Sequence, residues 1–497
     1  MKLPTFILSF LFTFNLLGSG FTIIEYQSNL SIATPSLAQR QTCKMRLDNG
    51  LSVYLISDPQ TPKTGAALAV KAGSWDDPES RPGMAHFVEH MLFLGTEKYP
   101  DEGEYHSFLD AHGGNHNACT LADRTAFFFS VDSAGFEGAL DRFAQFFISP
   151  LFSPSGIARE SEAVNQEFCK NLSVDFWRAF FVQKELANAD HPFHNFCIGN
   201  RETLGDTSQE ELQTWYRAHY RASDMVLVLY ADKPLEELQE NALEHFSAIS
   251  NPLPLPSPEK TSILSAETAG KMVIISPRQQ IQKLELTWEL PPSLGNDIDT
   301  QPDMLVGHVL GHEGTSSLLA DLKELQLAEE LSCGKIPAGR DQALFSLSID
   351  LTPQGVQNYE KVIERTFVAL SSLRHSSVPK YIFDEVIRQK ELQYTYQGRE
   401  DIFQLVGQLA LASLDEPLET FPQKSLMPTR FDASKIDQLL SLLTPEACHF
   451  TLIANPASAQ KKMTHKEKWM NTPYSIFPIA KKKLSSWSLL SNTGSSL

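Results

Sequence analysis

The chain has 497 residues, 42% of them hydrophobic, which is enough for more than one large core. Acidic residues outnumber basic ones, 60 against 42, for a net charge of −18, which argues against nucleic acid as a partner. The six cysteines are scattered and form no C-x-x-C pair, which excludes a dense disulfide scaffold, and no pairing among them is assigned.

Residues 1–38 read as an export segment. Lys2 supplies a thin positive start, and the apolar stretch Leu3–Phe21 is broken by Pro4, Ser9, Thr13, Asn15 and Gly18, which makes it a poor membrane span. Small residues at the −3 and −1 positions fit cleavage after Gly20 or after Ala38, and the polar chain from Gln39 favours Ala38. The protein is therefore expected to be exported, periplasmic or secreted.

From Met45 the pattern is strand, hairpin, strand. Asp48-Asn49-Gly50 is a tight-turn signal between two alternating apolar runs. Gly65–Val70 predicts another strand, and Gly73–Pro78 a loop. Next comes an apolar run, Met84–Leu94, that Pro82-Gly83 opens and Gly95 closes. Read as a helix, it carries His86 and His90 at i and i+4, so both imidazoles leave one face and can hold one zinc ion. Glu89 lies beside that face, placed to take a proton from a zinc-bound water without being a ligand itself. The order His-x-x-Glu-His reverses the common His-Glu-x-x-His zinc motif. A charged triplet in an otherwise apolar helix is costly to bury unless it is paired or metal-bound.

Glu104–Ala111 predicts a helix that Gly113-Gly114 ends, followed by paired strands at Asn117–Thr120 and Thr125–Val131. If the first is a free edge, an extended peptide can add to it as one more strand. After a helix at Phe136–Phe147, Ser153-Pro154 marks the start of another, with Ser as N-cap. Glu160 and Glu167, two turns apart on it, share a face and are the candidates for a third metal ligand, while Glu162 points elsewhere. Met225–Tyr230 reads as a buried strand and Leu235–Ile249 as a helix.

The prolines of Asn251–Pro258 forbid helix and favour an extended spacer, so a domain boundary is placed there. The second half repeats the plan, with strands at Met272–Ser276, Leu284–Glu289, Leu344–Leu351 and His449–Ala454, and helices after Pro302, Thr315, Gln354 and Val378. A duplicated α+β unit fits, each copy an antiparallel-rich sheet packed with helices. The expected division is 1–38 export segment, 39–250 zinc-binding catalytic domain, 251–268 linker, 269–475 second homologous non-catalytic domain, and 476–497 loose basic and Ser-rich tail. In the second unit His308 and His312 are again i and i+4, but Glu313 follows the second His, so the reversed motif is absent.

His-Phe-x-Glu-His-Met-Leu-Phe-Leu-Gly-Thr at 86–96, followed by Tyr99-Pro100, Glu104-Tyr105, Arg159-Glu160 and Glu167, resembles the pitrilysin/insulysin (insulinase) family of inverted-zincin metallopeptidases. Gly113-Gly114-x-x-Asn117-Ala118-x-Thr120, His191-Pro-Phe193, Gly199-Asn200 and Thr203-Leu204 agree, and the similarity runs from about Leu47 to about Tyr474. The resemblance implies a zinc endopeptidase acting on peptides, with one zinc per chain held by His86, His90 and Glu167. It further implies Glu89 as general base, Glu160 orienting the metal site, and Asn117 and Ala118 in the substrate-binding strand. The segment around His308 and His312 resembles the family's substrate-end anchoring surface. The chain stops near Trp469–Tyr474, where long relatives pass from their N-terminal to their C-terminal half. It is therefore expected to be the N-terminal catalytic half alone, completed by a second copy or a separate C-terminal-half partner. Other readings are a non-catalytic assembly subunit or a truncated, inactive fragment of a longer protease.

Overall fold

The computed structural model describes residues 20–25, 30–256 and 260–490. The apolar leader proposed for residues 3–19 and the Ser-rich end from 491 lie outside them. No described helix is long and apolar enough to cross a membrane.

Two seven-stranded mixed sheets organise the chain, α+β as expected. The first contains β1 (Phe21–Glu25), β2 (Gln41–Leu47), β3 (Ser52–Ser57), β4 (Thr64–Val70), β5 (Asn115–Thr120), β6 (Thr125–Val131) and β7 (Met225–Ala231), in the order β1-β2-β3-β7-β4-β6-β5. The second contains β8 (Lys271–Ile275), β9 (Lys283–Leu290), β10 (Ala328–Gly339), β11 (Gln342–Leu351), β12 (His449–Ile453), β13 (His465–Lys466) and β14 (Pro473–Pro478), in the order β10-β11-β9-β12-β8-β14-β13. Read from opposite ends, the two orders match strand for strand. Each has one parallel pair, β3 with β7 and β8 with β12, and an antiparallel neighbour on the far side of the returning strand. The copies differ in origin at one edge. The outer strands of the first sheet precede its centre in the chain, whereas β14 and β13 come from after it.

Asn49-Gly50 turns β2 into β3. Gly50 has φ of 96°, the left-handed region that glycine tolerates best. Every residue of β4 and β7 is buried, because both faces of this sheet are covered. One face packs against α1 (Met84–Leu92), α3 (Phe136–Gln145) and the helix Leu235–Phe246; α2 (Glu104–Ala111) lies between α1 and α3 in the chain. The other face is covered from the second half of the sequence, by Ile402, Val406 and Ala410 of the helix Ile402–Ala412 and by Leu414, Leu418 and Phe421. In exchange α5 (Asp175–Glu185), which follows α4 (Pro154–Asn171), sets Ala179 and Val182 against Val273, Ile275 and Ile453 of the second sheet. The boundary at 251 therefore separates stretches of sequence, while the two cores borrow elements across it.

Phe21–Glu25, within the stretch expected to be an export segment, pairs antiparallel with β2 as the sheet's outer strand. One expectation needs correction. The tail from 476, read as loose, continues β14 and then forms a helix, Lys481–Leu490. Trp487 on that helix is only 3% exposed and lies against Phe367 and Phe450, burial that outweighs the Ser- and Lys-rich composition around it. All six cysteines are free thiols.

One buried ion pair ties the exchanged segment down. Asp58, at the end of β3 and 1% exposed, accepts from the Arg399 guanidinium and from Tyr230 Oη at 2.5 Å, and Arg399 also donates to the Ser36 carbonyl at 2.6 Å. Burial pushes the Asp58 carboxyl up, but the Arg399 and Tyr230 hydrogen bonds outweigh it, so its pKa lies below the ordinary value. Arg399→Ala strands the carboxylate and should cost about 3 kcal/mol of stability by denaturant melting. Because the folded-state pKa is depressed, the pair contributes fully above about pH 4 and loses its contribution as the pH falls further. The wild-type advantage over Arg399→Ala should shrink in that acid window.

Candidate metal centre and peptide groove

The metal helix α1 is fixed at its start by two features. Gly83 has φ of 96°, and a Cβ there would meet the Gly199 backbone at 2.4 Å, so only glycine lets the two segments approach. The Asp77 carboxylate accepts from Gly83 N at 2.7 Å and Ala85 N at 2.8 Å, satisfying backbone donors that a helix start leaves open. Phe87, Val88, Met91 and Leu92 are fully buried in the first core. Their burial turns His86 and His90 toward α4 and Glu89 toward β5. Ser153 caps α4 by accepting from Gly156 N at 3.2 Å, and the seven-residue spacing carries both Glu160 and Glu167 to the imidazoles.

His86 Nδ1 donates to the Ile198 carbonyl at 2.7 Å, and His90 Nδ1 lies 3.0 Å from Glu160 Oε2. With each Nδ1 engaged, the two Nε2 atoms face a single oxygen, Glu167 Oε2, at 3.6 and 3.7 Å. Two imidazole nitrogens and one carboxylate oxygen converging at such separations fit a zinc ion, whose tetrahedral ligands at about 2.0–2.1 Å lie about 3.3 Å apart. The carboxylate and carbonyl partners fix ring orientation and leave both Nε2 lone pairs for the metal. Ligand atoms of His86, Glu89 and His90 lie within 4.8 Å of one another, the one such group of three among the described residues. His308 and His312 gather no such set; His312 Nδ1 accepts from Gly314 N at 2.9 Å.

The site's electrostatics favour a cation. Burial lowers the pKa of His90, but hydrogen bonds to Glu160 and Glu167 prevail and raise it to about 9. The same contact with His90, opposed by burial, holds Glu167 below the usual carboxylate range. Glu89 is 8% exposed, and its burial raises its pKa against the pull of His86 and of Thr120, whose hydroxyl donates to Glu89 Oε2 at 2.6 Å. The arrangement holds a cation among carboxylates, with a protonatable carboxylate at hand that is oriented from β5.

That strand is the free edge of the first sheet. On its other side it pairs with β6, Asn117 opposite Phe128 and Ala118 opposite Phe127. The edge borders a cavity of about 1420 Å³ that also holds the metal centre, and whose far side includes Ser346, His449 and Thr451 of the second sheet. At the cavity's border Arg340, on the tip of the β10–β11 hairpin, donates its backbone N–H to Asp123 at 2.6 Å and pairs its guanidinium with Asp76. The second unit thus braces the loops that flank α1 and β5.

Sequence reasoning named His86, Glu89, His90, Glu160, Glu167, Asn117 and Ala118, and all seven border this cavity. It missed the Asp77 cap, for which Asp76-Asp77-Pro78 before the helix was a legible signal. It also missed the Ile198 carbonyl, because a backbone acceptor far along the chain leaves no signature.

Comparison with known proteins agrees over most of the chain. Three models of peptidase family M16 match in succession: the insulinase domain at residues 52–190, the family's inactive domain at 206–390, and its middle or third domain at 394–497. The peroxisomal insulin-degrading enzyme-like 1 of Arabidopsis thaliana is 34% identical over 465 residues, 92% of this chain and 48% of that protein. Human insulin-degrading enzyme is 33% identical over 458 residues, 90% of this chain and 44% of that protein. The crystal structure of pitrilysin superposes with a TM-score of 0.88 at 28% identity, covering 95% of this chain and 50% of that one. The chain spans about half the length of the curated relatives it matches. The expectation of an N-terminal catalytic half alone is not borne out, because the matches run on into the middle or third domain.

Glu160 touches the site only through His90. Glu160→Gln should therefore leave the fold intact and weaken zinc binding about 10–100-fold, measured by competition with a chromophoric chelator.

Proposed function

The chain belongs to the insulinase family of peptidases, family M16, and on that premise we propose that it is a zinc-dependent endopeptidase cleaving peptides. In this reading His86, His90 and Glu167 hold one zinc and Glu89 is the general base. The observation that carries it is the convergence of both imidazole Nε2 atoms on Glu167 Oε2, with Glu89 held apart on Thr120.

Zinc held there by His86, His90 and Glu167 would supply Lewis-acid chemistry and would make a water at the site easier to deprotonate. The protein's own groups do the rest. Glu89, set in a nearly dry pocket, accepts a proton and returns it to the leaving amine, and its raised pKa suits both halves of that exchange. Thr120 fixes which carboxylate oxygen is free. A peptide laid along β5 at Asn117 and Ala118 gains main-chain hydrogen bonds that are indifferent to its sequence. The cavity walls limit water and hold the peptide in place.

We further propose that a second copy of the chain or a separate polypeptide pairs with it and supplies a facing wall. A non-catalytic assembly role would not require Glu89 or Glu160 beside the imidazoles. The reading also includes export of the chain. Cleavage after Gly20 would keep Phe21–Glu25 as the outer strand, whereas cleavage after Ala38 would remove it.

Purified protein should hydrolyse a quenched fluorogenic peptide, lose activity to a chelator and regain it with zinc. Glu89→Gln should keep its zinc and fold but lose turnover by at least about 100-fold. Glu167→Gln should lose zinc as well, since a neutral amide is a poor ligand. Turnover at the wild-type rate in Glu89→Gln would assign the base elsewhere. In light scattering alongside activity, specific activity should rise with assembly; a strict monomer with high, concentration-independent activity would show that the single chain suffices.

A further inference from the structure

We propose that His106 and His116 form a second site for a divalent transition-metal ion, at the outer end of β5 and apart from the His86, His90 and Glu167 set. His106 Nδ1 and His116 Nε2 lie 3.1 Å apart. Two nitrogens on a tetrahedral zinc ion, each at about 2.0–2.1 Å, are separated by about 3.3 Å, so a metal can take the place of the shared proton with a small movement. Imidazole pairs also suit nickel, copper and cobalt.

Three features show that the pair is pre-arranged. His106 Nε2 faces Asp110 Oδ2 at 3.1 Å, one turn along α2. That carboxylate accepts the ring's other N–H and leaves Nδ1 as the free lone pair, the orientation device that metal-binding histidines use. The His116 ring is held between Phe93 and Tyr105, with centroids at 5.1 and 5.3 Å. The short turn at Gly113-Gly114 folds β5 back along α2, which brings residues ten apart in sequence to hydrogen-bonding distance. His106 and Asp110 are mostly exposed, so water can complete the coordination.

His106 lies outside the motifs that carry the family resemblance, and His116 falls at an open position within one of them, between Gly114 and Asn117. The function proposed above does not use either. A metal there would cross-link α2 to the edge strand, and His116 lines the cavity one residue before Asn117. With only two protein ligands the site should be weaker than the three-ligand centre.

The test is zinc titration of the full chain by calorimetry and by cobalt(II) absorption spectra, with metal-free melting curves as the folding control. Wild type should bind two equivalents, the second more weakly. His106→Gln and His116→Ser should each bind one, and Asp110→Asn should weaken the second about 10–100-fold. Glu167→Gln should lose the tighter equivalent and keep the weaker one, so failure at either centre is separable from failure at the other. In the Glu167→Gln background nickel should raise the melting temperature when His116 is present but not when His116→Ser is added. A single equivalent in wild type, or a second equivalent undiminished in both His variants, would overturn the proposal.

Discussion

The structure depends on how charge is held on one face of a short helix. α1 buries Ala85, Phe87, Val88, Met91 and Leu92 completely and presents two imidazoles and a carboxylate on its remaining face. Such a triplet persists in low dielectric only if every polar atom finds a partner or a metal. Here each is met by a different element: His86 by the Ile198 carbonyl, His90 by Glu160 of α4, Glu89 by Thr120 of β5. The helix start is met by Asp77. The positions of α4, β5 and the loop through Ile198 are therefore coupled to one another through α1.

The duplicated sheets make this coupling possible. The first sheet buries β4 and β7 on both faces, and each sheet takes a helix from outside its own run of sequence. Ile402–Ala412 covers the first sheet, and α5 covers the second. The exchange brings the polar face of the second sheet opposite the metal centre and sets Arg340 against Asp76 and Asp123. One wall of the cavity carries the metal ligands and the free edge; the other offers hydroxyls and an imidazole. The two walls differ, in keeping with matches to an insulinase domain and an inactive domain in succession.

Much of this is legible in sequence because its signals are local. The i, i+4 histidines, the seven-residue spacing of Glu160 and Glu167, the Asn-Gly turn and the proline spacer all act over one or two turns of chain. Strand β10, by contrast, escaped notice. Ala328–Gly339 contains two glutamates, two glycines and a proline, weak strand formers that are tolerated because the strand sits at a sheet edge. The helix Lys481–Leu490 escaped for a related reason: its one strong anchor, Trp487, finds its pocket far away in sequence.

The sequence by itself determined the candidate metal-ligand residue types, their spacing on two helices, the α+β class and the repeat of the unit, because periodicity and side-chain chemistry are properties of short segments. Only the tertiary structure decided which nitrogen of each imidazole is free, which carboxylate oxygen the two Nε2 atoms share, and that β5 is an open edge. It alone decided which helix covers which sheet. Those facts depend on contacts between residues 30 to more than 300 positions apart, whose geometry is set by packing and by the need to pair every buried charge.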